Sequence, residues 1–272
     1  MNLIFFDLDG TLLNSASEIS SFTRETLILL GKNNIAYTVA TGRTMLSAKT
    51  ILTGHDFKLP QIYNNGVTIW DPLKQTLALD NLLSKTEIAT VINVAASYGI
   101  APFVHAIDNH RHFIYYAARL NDVEKKLVSK HYSAIDAKVL PIEELSTNHQ
   151  VTNISMIGAA DAITAMWQDF NSHANLVAYS GIAIEGNEYR WVDVHHRLAN
   201  KGMAVSSLRC QLEATNVICF GDSDNDLSMF ELADESYAPA NAKTVIKESA
   251  SEVIGHNHAD GVAHFLRERF SL

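Results

Sequence analysis

The chain has 272 residues and a formal charge of −9 at pH 7, with 47% hydrophobic and 19% charged residues. This composition is ordinary for a folded globular protein, and the lack of low-complexity segments argues against extensive disorder. The acidic balance argues against a general nucleic-acid surface, because neutralising phosphates requires clustered Lys and Arg. Small anionic substrates stay open, since they need only a few local cations.

Cysteine usage and the N-terminus both indicate a reducing compartment. Cys210 and Cys219 are too few for a disulfide framework and could form one bridge at most. The first apolar run is interrupted at Asp7 and has no basic residues before it, unlike a signal peptide. No uncharged apolar stretch reaches the ~18–20 residues of a membrane span. We therefore expect a cytoplasmic protein with no membrane or nucleic-acid partner.

The N-terminal region predicts a parallel sheet. Residues 3–6 form a short apolar run, residues 20–31 carry apolar residues at helical spacing, and residues 35–40 form a second apolar run. The order strand, helix, strand with short connections is typical of a parallel sheet covered by helices. Ligands of such sheets bind beyond the carboxyl ends of the strands, so the polar residues after each run are candidate site residues.

The middle of the chain has a different pattern. Residues 103–116 predict two strands joined by a turn at Asp108 and Asn109, which is hairpin chemistry. Helical patterns at 88–98 and 162–171 flank such strands. We therefore predict an α+β domain at residues 82–194, inserted into a parallel domain made of 1–81 and 195–272.

The C-terminal region returns to the first pattern. Residues 216–220 are apolar and end at the polar run 221–226, after which a helix begins at Leu227. A last helix follows, with Asp260 as its predicted N-cap. Both ends of the chain thus predict the same α/β domain.

Acidic residues follow the first and the last of these apolar runs. Asp7 and Asp9 follow residues 3–6, while Asp222, Asn225 and Asp226 follow residues 216–220. Neighbouring carboxylates repel one another, and a hard cation such as Mg2+, bound by carboxylates and substrate phosphate, relieves that repulsion. Either cluster alone could be a turn or a helix cap. Both together, with a Thr-Gly-Arg and a lysine between them, favour a phosphate-binding metal site.

Four motifs resemble those of the haloacid dehalogenase superfamily, in the order that this family uses: DLDGTLL at 7–13, ATGR at 40–43, NKG at 200–202 and GDSDND at 221–226. NNG at 64–66 and the insertion after roughly residue 81 resemble the Cof-type branch, subclass IIB, with a C2-type α+β cap. The resemblance implies a Rossmann-like core and a phosphatase for small phosphorylated metabolites, with sugar phosphates the first expectation. It also implies that the cap closes over the site and selects the leaving group.

The resemblance also assigns roles to the acidic residues. Asp7 would attack phosphorus and form an aspartyl phosphate, and Asp9 would protonate the leaving alcohol and then deprotonate water. Mg2+ would bind the side chains of Asp7 and Asp222 and the main-chain carbonyl of Asp9. Asn225 and Asp226 would orient these ligands.

Further residues would bind the phosphoryl group. By the resemblance, Thr41 would donate its hydroxyl and Gly42 its N–H to phosphoryl oxygens, and Lys201 would balance charge beside Asp7. Arg43 is a candidate to grip a substrate anion bidentately, against the plainer interpretation of a surface ion pair. Asn65 is a weaker candidate for substrate contact.

Alternative functions differ in which residues they need. Asp9 supplies an acid for an alkoxide leaving group, so phosphomonoester hydrolysis or phosphomutase chemistry is favoured over dehalogenase and phosphonatase chemistry. A non-catalytic phospholigand-binding protein would be expected to lose the nucleophile, the acid or a metal ligand, and the sequence retains all of them. The oligomeric state is left open between monomer and homodimer.

Several residues receive plainer interpretations. Three histidines straddle the predicted hairpin turn without a cysteine to complete a zinc set, and a solvated loop is the simpler interpretation: His105, His110 and His112. His195 and His196 are interpreted as hinge or surface residues, Thr11 as bonded to nearby backbone, and Trp191 as a packing residue of a strand.

Overall fold

The computed structural model describes every residue except 118, 131, 133, 134 and 184. The chain divides into two compact units, one formed by Met1–Ala78 and Asn200–Leu272 and the other by Leu79–Ala199. The predicted insertion, 82–194, lies inside the second unit, which begins earlier and ends later. It ends later because its last strand continues through His196.

The strands are β1 (Asn2–Phe6), β2 (Ala36–Val39), β3 (Gln61–Tyr63), β4 (Thr68–Asp71), β5 (Thr76–Leu79), β6 (Phe103–Asp108), β7 (Arg111–Tyr116), β8 (Ala137–Pro141), β9 (Gln150–Ala159), β10 (Leu176–Ala183), β11 (Gly186–His196), β12 (Asn216–Phe220), β13 (Glu235–Pro239) and β14 (Glu252–Ile254). The helices are α1 (Ser21–Lys32), α2 (Met45–Leu52), α3 (Lys85–Ser97), α4 (Asp122–Lys130), α5 (Ala160–Ser172), α6 (Lys201–Gln211), α7 (Leu227–Phe230), α8 (Thr244–Ser249) and α9 (Gly261–Phe270).

The first unit is built on a parallel sheet with strand order β14-β13-β12-β1-β2. Leu3 and Phe5 of β1 pack into one apolar cluster, and Ile4 and Phe6 pack into another on the opposite face. A strand buried on both faces needs an unbroken apolar run, which is what the sequence predicted here. The predicted α/β fold with a parallel core is confirmed.

The start of α1 is tied to the start of α9. Ser20 caps α1 by accepting a hydrogen bond from the backbone N–H of Thr23, at 3.0 Å. Asp260 Oδ1 accepts from the hydroxyls of Ser20 and Thr23, at 2.6 and 3.0 Å. Asp260 precedes α9 as predicted, but its side chain does not bond to that helix. Its backbone is left-handed, with φ 55°, and the carboxylate bonds to α1 instead.

The second unit contains a six-stranded sheet with order β10-β11-β9-β6-β7-β8, antiparallel except for the pair β7 and β8. Helices α3 and α5 cover one face, where Val104, Ile154 and Val192 lie in a single apolar core with residues of both helices. The predicted α+β insertion is therefore present. The β6–β7 turn lies at Asn109 and His110, one position later than predicted, and both residues have the positive φ of a tight hairpin.

Strands of this sheet contain four histidines whose interpretation the structure corrects. His105 and His112 lie in strands β6 and β7, half-buried, and not in a solvated loop. His195 is fully buried within β11, where its Nε2 lies 2.8 Å from Asp193 Oδ2, and His196 ends the same strand. His195 and His196 are therefore sheet residues and not a hinge.

Two further expectations concern cysteines and membranes. Cys210 is exposed and Cys219 is buried in the parallel sheet, and both are free thiols. None of the helices in the described part of the chain is long and apolar enough to cross a bilayer.

Acid should destabilise the second unit through His105. Burial lowers the pKa of His105 to about 4; Asp193 opposes this shift, while His195 and His112 add to it. The pKa of His105 in the folded protein is below its ordinary value of 6.5, so folding favours the neutral imidazole. The contribution of His105 to the free energy of unfolding is therefore complete above pH 6.5 and is lost as the pH falls toward 4. We expect the free energy of unfolding to drop by about 2 kcal/mol between pH 7.5 and pH 5.

The His105→Gln variant should lose most of this pH dependence, as measured by urea denaturation at the two pH values. His110, exposed at the hairpin turn, provides the matched control, and His110→Gln should keep the wild-type dependence. An unchanged pH dependence in His105→Gln would contradict the assignment.

Candidate active site

Two aspartates meet at one edge of the parallel sheet. Strands β1 and β12 are neighbours with Phe6 opposite Phe220, so Asp7 and Asp222 both follow the carboxyl ends of adjacent strands. Carboxylate oxygens of Asp7, Asp222 and Asp226 all lie within 4.8 Å of one another. The two acidic clusters that the sequence singled out are thus brought together.

Gly10 allows the turn after β1 to close over Asp222. Its φ is 74°, and a Cβ at this position would overlap the carboxylate of Asp222. Asp9, just before Gly10, has an extended backbone with φ −72° and ψ 126°. The turn is closed by a hydrogen bond from Leu13 N–H to the carbonyl of Leu8, at 2.9 Å. Glycine is therefore required here both for the backbone conformation and for the close approach.

Lys201 bonds two of the carboxylates from the first residue of α6. Asn200 caps this helix by accepting from Met203 N–H at 2.9 Å, so the helix begins at Lys201. The Nζ atom of Lys201 lies 2.5 Å from Asp7 Oδ1 and 2.6 Å from Asp226 Oδ1, and the side chain is 0% exposed. Burial alone would lower the pKa of Lys201, but Asp226 and Asp7 outweigh it and raise that pKa.

Asp226 uses both carboxylate oxygens within the protein. Oδ1 accepts from Lys201, and Oδ2 accepts from the backbone N–H groups of Asp222 and Ser223, each at 2.9 Å. Asp226 thereby holds the loop that carries Asp222. Although its oxygens lie close enough to share an ion, this full set of partners favours a positioning role over direct metal binding.

The carboxylates outnumber the ammonium group. Burial raises the pKa of Asp7 well above its ordinary value; Asp226 and Asp222 add to the shift, and Lys201 opposes it. Burial, followed by the charge of Asp226, raises the pKa of Asp222 to about 6. Oxygen-only donors with unbalanced negative charge suit a hard divalent cation, so Asp7, Asp222 and the Asp9 carbonyl fit Mg2+ chemically.

The Thr-Gly-Arg segment lies against the same turn. Thr41 is buried, and its Oγ1 accepts from Arg43 N–H at 3.1 Å. The guanidinium of Arg43 donates through Nε and Nη2 to the two oxygens of Asp9, both at 2.6 Å. The structure thus shows the plainer alternative for Arg43, an ion pair, which is bidentate and joins it to the predicted general acid Asp9, a partner that the sequence did not suggest. Its contact with a substrate anion stays a prediction.

Asn65 connects the loops around Gly42. It is buried with φ 53°, and its backbone N–H donates to the Thr41 carbonyl at 3.1 Å. Its Oδ1 accepts from Asn225 Nδ2 at 2.8 Å, and a Cβ on Gly42 would lie 3.2 Å from the same oxygen. Asn65 of the NNG segment therefore links the second motif, through the Thr41 carbonyl, to the fourth motif, through Asn225.

Two asparagines that the sequence did not single out hold the turn that follows β1. Asn241 Nδ2 donates to the Gly10 carbonyl at 2.7 Å, and Asn241 Oδ1 accepts from Asn257 N–H at 3.0 Å. Asn257 Nδ2 also donates to the Leu13 carbonyl at 2.8 Å. Asn241 follows the end of β13, so the strand-end rule applied to the other site residues could have found it.

The hydroxyl of Thr11 does not make the hydrogen bond that the sequence analysis predicted. This group is buried and makes no hydrogen bond within the described part of the chain, so the predicted bond to nearby backbone is wrong.

Comparisons with known proteins agree with this fold. A 5-amino-6-(5-phospho-D-ribitylamino)uracil phosphatase of Bacillus subtilis is 24% identical over 99% of this chain and 98% of its own length. A pyridoxal phosphate phosphatase of Escherichia coli is 26% identical over 97% of each chain. A solved haloacid dehalogenase-like hydrolase of B. subtilis superimposes with a TM-score of 0.79 at 25% identity, covering 98% of this chain and 99% of the other.

The chain belongs to the haloacid dehalogenase-like hydrolase family, whose pattern it matches over residues 4–266. The four motifs predicted this family, and NNG at 64–66 with the insertion after roughly residue 81 predicted its Cof-type phosphatase branch; both predictions are confirmed.

Replacing Lys201 should lower the free energy of unfolding. In Lys201→Met, the buried carboxylates of Asp7 and Asp226 would face each other without a cation, and breaking a buried pair in this way costs about 3–5 kcal/mol. The pair Lys243–Asp224, at 2.5 Å but half exposed, gives a matched control. Lys243→Met should cost less than about 1 kcal/mol. Urea denaturation at neutral pH without added metal compares the two variants. Equal losses in the free energy of unfolding would contradict the role of Lys201 as a buried partner of Asp7 and Asp226.

Proposed function

We propose that the protein is a Mg2+-dependent phosphatase that hydrolyses phosphate monoesters of small metabolites through an aspartyl phosphate on Asp7. The observation that supports this most directly is the meeting of Asp7, Asp222 and the Lys201 ammonium at one edge of the sheet. This arrangement combines a carboxylate nucleophile, a second carboxylate for a metal ion and a fixed positive charge beside the transferred group.

The metal ion would be held by the carboxylates of Asp7 and Asp222 and by the main-chain carbonyl of Asp9. When bound, Mg2+ would offset the charge of the carboxylates and of the phosphoryl oxygens. Asp226 would keep Asp222 in place through its two backbone hydrogen bonds. Asn241 would fix the Asp9–Gly10 turn through the Gly10 carbonyl.

In the first step, a carboxylate oxygen of Asp7 attacks phosphorus opposite the ester oxygen. The new O–P bond forms as the bond from phosphorus to the alcohol oxygen breaks, and the carboxyl group of Asp9 gives its proton to that oxygen. The alcohol leaves neutral. Thr41 and the N–H of Gly42 donate hydrogen bonds to the phosphoryl oxygens, and Lys201 holds the Asp7 carboxylate in position for attack.

In the second step, the Asp9 carboxylate takes a proton from water as the water oxygen attacks phosphorus. The bond from phosphorus to Asp7 breaks, inorganic phosphate leaves, and both aspartates return to their starting states. Asp9 must exchange its ion pair with Arg43 for contact with the leaving oxygen during the cycle. A substrate phosphate that draws the guanidinium away from Asp9 would provide that exchange.

The relatives and the resemblance support phosphorylated small metabolites as the substrate class. Two relatives carry the names of phosphatases for a phosphoribitylamino-uracil and for pyridoxal phosphate. Sugar phosphates are the class that the resemblance suggests first. A panel of sugar phosphates, pyridoxal phosphate and nucleoside monophosphates, ranked by kcat/KM, would identify the preferred class because selectivity is a ratio of those values.

The role of Asp9 can be tested with leaving groups of different acidity. Asp9→Asn keeps the main-chain carbonyl but cannot donate a carboxylic proton. We expect turnover of an alkyl phosphate to fall by about 10²–10⁴-fold, since its alkoxide leaving group needs an acid. The rate of p-nitrophenol release in the pre-steady-state burst should fall much less, because this leaving group needs no acid. Equal losses for the two esters would show that Asp9 does not protonate the leaving group.

Mg2+ should stabilise the protein through the aspartate cluster. Without metal, EDTA-treated protein should release no inorganic phosphate from p-nitrophenyl phosphate, and added Mg2+ should restore turnover. Saturating Mg2+ should also raise the melting temperature by several degrees, because a ligand at 100 times its Kd adds about 2.7 kcal/mol.

The control variants separate binding from chemistry. Asp222→Asn should lose most of the thermal shift, whereas Asp7→Asn should stay folded with part of the shift and without turnover. A turnover rate that EDTA leaves unchanged would contradict the metal requirement.

A further inference from the structure

The loop between β13 and α8 contacts both loops that carry the proposed metal ligands. Asn241 Nδ2 donates to the Gly10 carbonyl at 2.7 Å, and the backbone N–H of Lys243 donates to the Asp222 carbonyl at 3.1 Å. Ala242, between them, is buried in the apolar cluster on one face of the parallel sheet. This short segment therefore joins the turn after β1 to the loop after β12, and the core fixes its own position.

The turn after β1 needs an outside contact because of Gly10. Its backbone has φ 74°, and glycine adopts several other conformations at little cost, so the residue itself does not hold this one. The hydrogen bond from Asn241 fixes the peptide group on the C-terminal side of Gly10. The Asp9 carbonyl belongs to the peptide group on the other side. A rotation at Gly10 would therefore move the Asp9 carbonyl relative to Asp222.

The amide group of Asn241 is itself held in one orientation. Its Oδ1 accepts from the backbone N–H of Asn257 at 3.0 Å, so Nδ2 is the atom that faces the Gly10 carbonyl. A flipped amide would place oxygen against oxygen at Gly10 and nitrogen against N–H at Asn257, and both hydrogen bonds would be lost. Asn257 thus determines which atom of Asn241 contacts the turn.

The loop that contains Asn257 is anchored by contacts of its own. Its two ends meet at Gly255 and Gly261, where a Cβ on Gly261 would overlap the Gly255 carbonyl oxygen. Asp260 of the same loop accepts from the Ser20 hydroxyl at the start of α1, at 2.6 Å. The donor to Asn241 therefore belongs to a loop whose position the fold sets independently of the aspartate cluster.

We propose that Asn241 is a positioning residue for metal binding. Its amide holds the backbone of Gly10, and with it the adjoining Asp9 carbonyl, in the conformation in which the turn binds Mg2+. Groups that orient metal ligands without touching the metal change its affinity by about 10–100-fold. The inference rests on the metal site of the proposed function, and it adds a residue that lies outside the four motifs.

Calorimetric titration of the metal-free, full-length protein with Mg2+ tests this role without turnover. We expect Asn241→Ala to weaken Mg2+ binding by about 10–100-fold relative to the wild type. Asn241→Asp keeps an acceptor for Asn257 N–H but loses the donor to Gly10. It should also weaken Mg2+ binding, although its added negative charge alone would tighten it. Binding as tight as that of the wild type, or tighter, in both variants would overturn the proposal.

Asn171 provides a matched control in the second unit, which carries none of the proposed metal ligands. Its Nδ2 donates to the Ala178 carbonyl and its Oδ1 accepts from the Ala178 N–H, each at 3.0 Å. Asn171→Ala removes the same kind of two-bond contact and should leave the Kd for Mg2+ unchanged. An equal loss of Mg2+ affinity in Asn171→Ala would overturn the positioning role of Asn241. Far-UV circular dichroism of each metal-free variant establishes that it folds.

The wild-type titration separates this inference from the proposed function. A wild-type protein that binds no Mg2+ would overturn the proposed metal site and the inference together. Wild-type binding of Mg2+ with the same affinity in folded Asn241→Ala and Asn241→Asp proteins would overturn the inference alone, because the metal site would then need no support from Asn241.

Discussion

The site depends on one buried ammonium group. Lys201 is completely shielded from solvent and donates to Asp7, which follows β1, and to Asp226, which follows β12. Asp226 in turn accepts from the backbone of Asp222 and Ser223. A single cation thus fixes the proposed nucleophile and, through Asp226, the loop that carries Asp222, the second proposed metal ligand.

Burying these charges is costly, and the geometry explains why it is tolerated. Desolvation opposes charge on Lys201 and on Asp7 alike, and their short contact offsets part of that cost. Burial, together with the remaining excess of carboxylates, keeps the pKa of Asp222 raised. An arrangement with unbalanced negative charge is poor for stability alone, and it is suited to a divalent cation and a phosphoryl group.

The sequence predicted which strand ends bring the candidate site residues together better than it predicted the contacts between them. Asp7 and Asp222 could be placed together because parallel strands end at the same edge, so a short apolar run is enough to locate a side chain. Two contacts could not be predicted in this way: the ion pair between Arg43 and Asp9 and the hydrogen bond from Asn241 to Gly10. Each depends on side-chain direction across separate loops. The end of the inserted unit was misjudged for a related reason, since β11 continues past its apolar residues to His196.

The second unit illustrates the same limit. Alternation along β11 predicts a strand with two faces, but it does not tell which face the helices cover. Trp191 was therefore interpreted as a packing residue and His195 as a hinge or surface residue, whereas Val192 and Val194 make the core contacts and His195 is buried within the strand. The register with β10 places Gly181 under the indole of Trp191, so one side of the ring is packed and the other is not. The sequence pattern of β11 alone does not give this contact.

The most direct measurement of the central claim is acid quenching of the enzyme during turnover of a phosphate monoester, followed by mass spectrometry of its peptides. Transfer to Asp7 predicts a peptide that contains Asp7 and carries one added phosphoryl group, which hydroxylamine removes. A quenched enzyme that turns over substrate but has no phosphoryl group, or has it on another residue, would contradict the account.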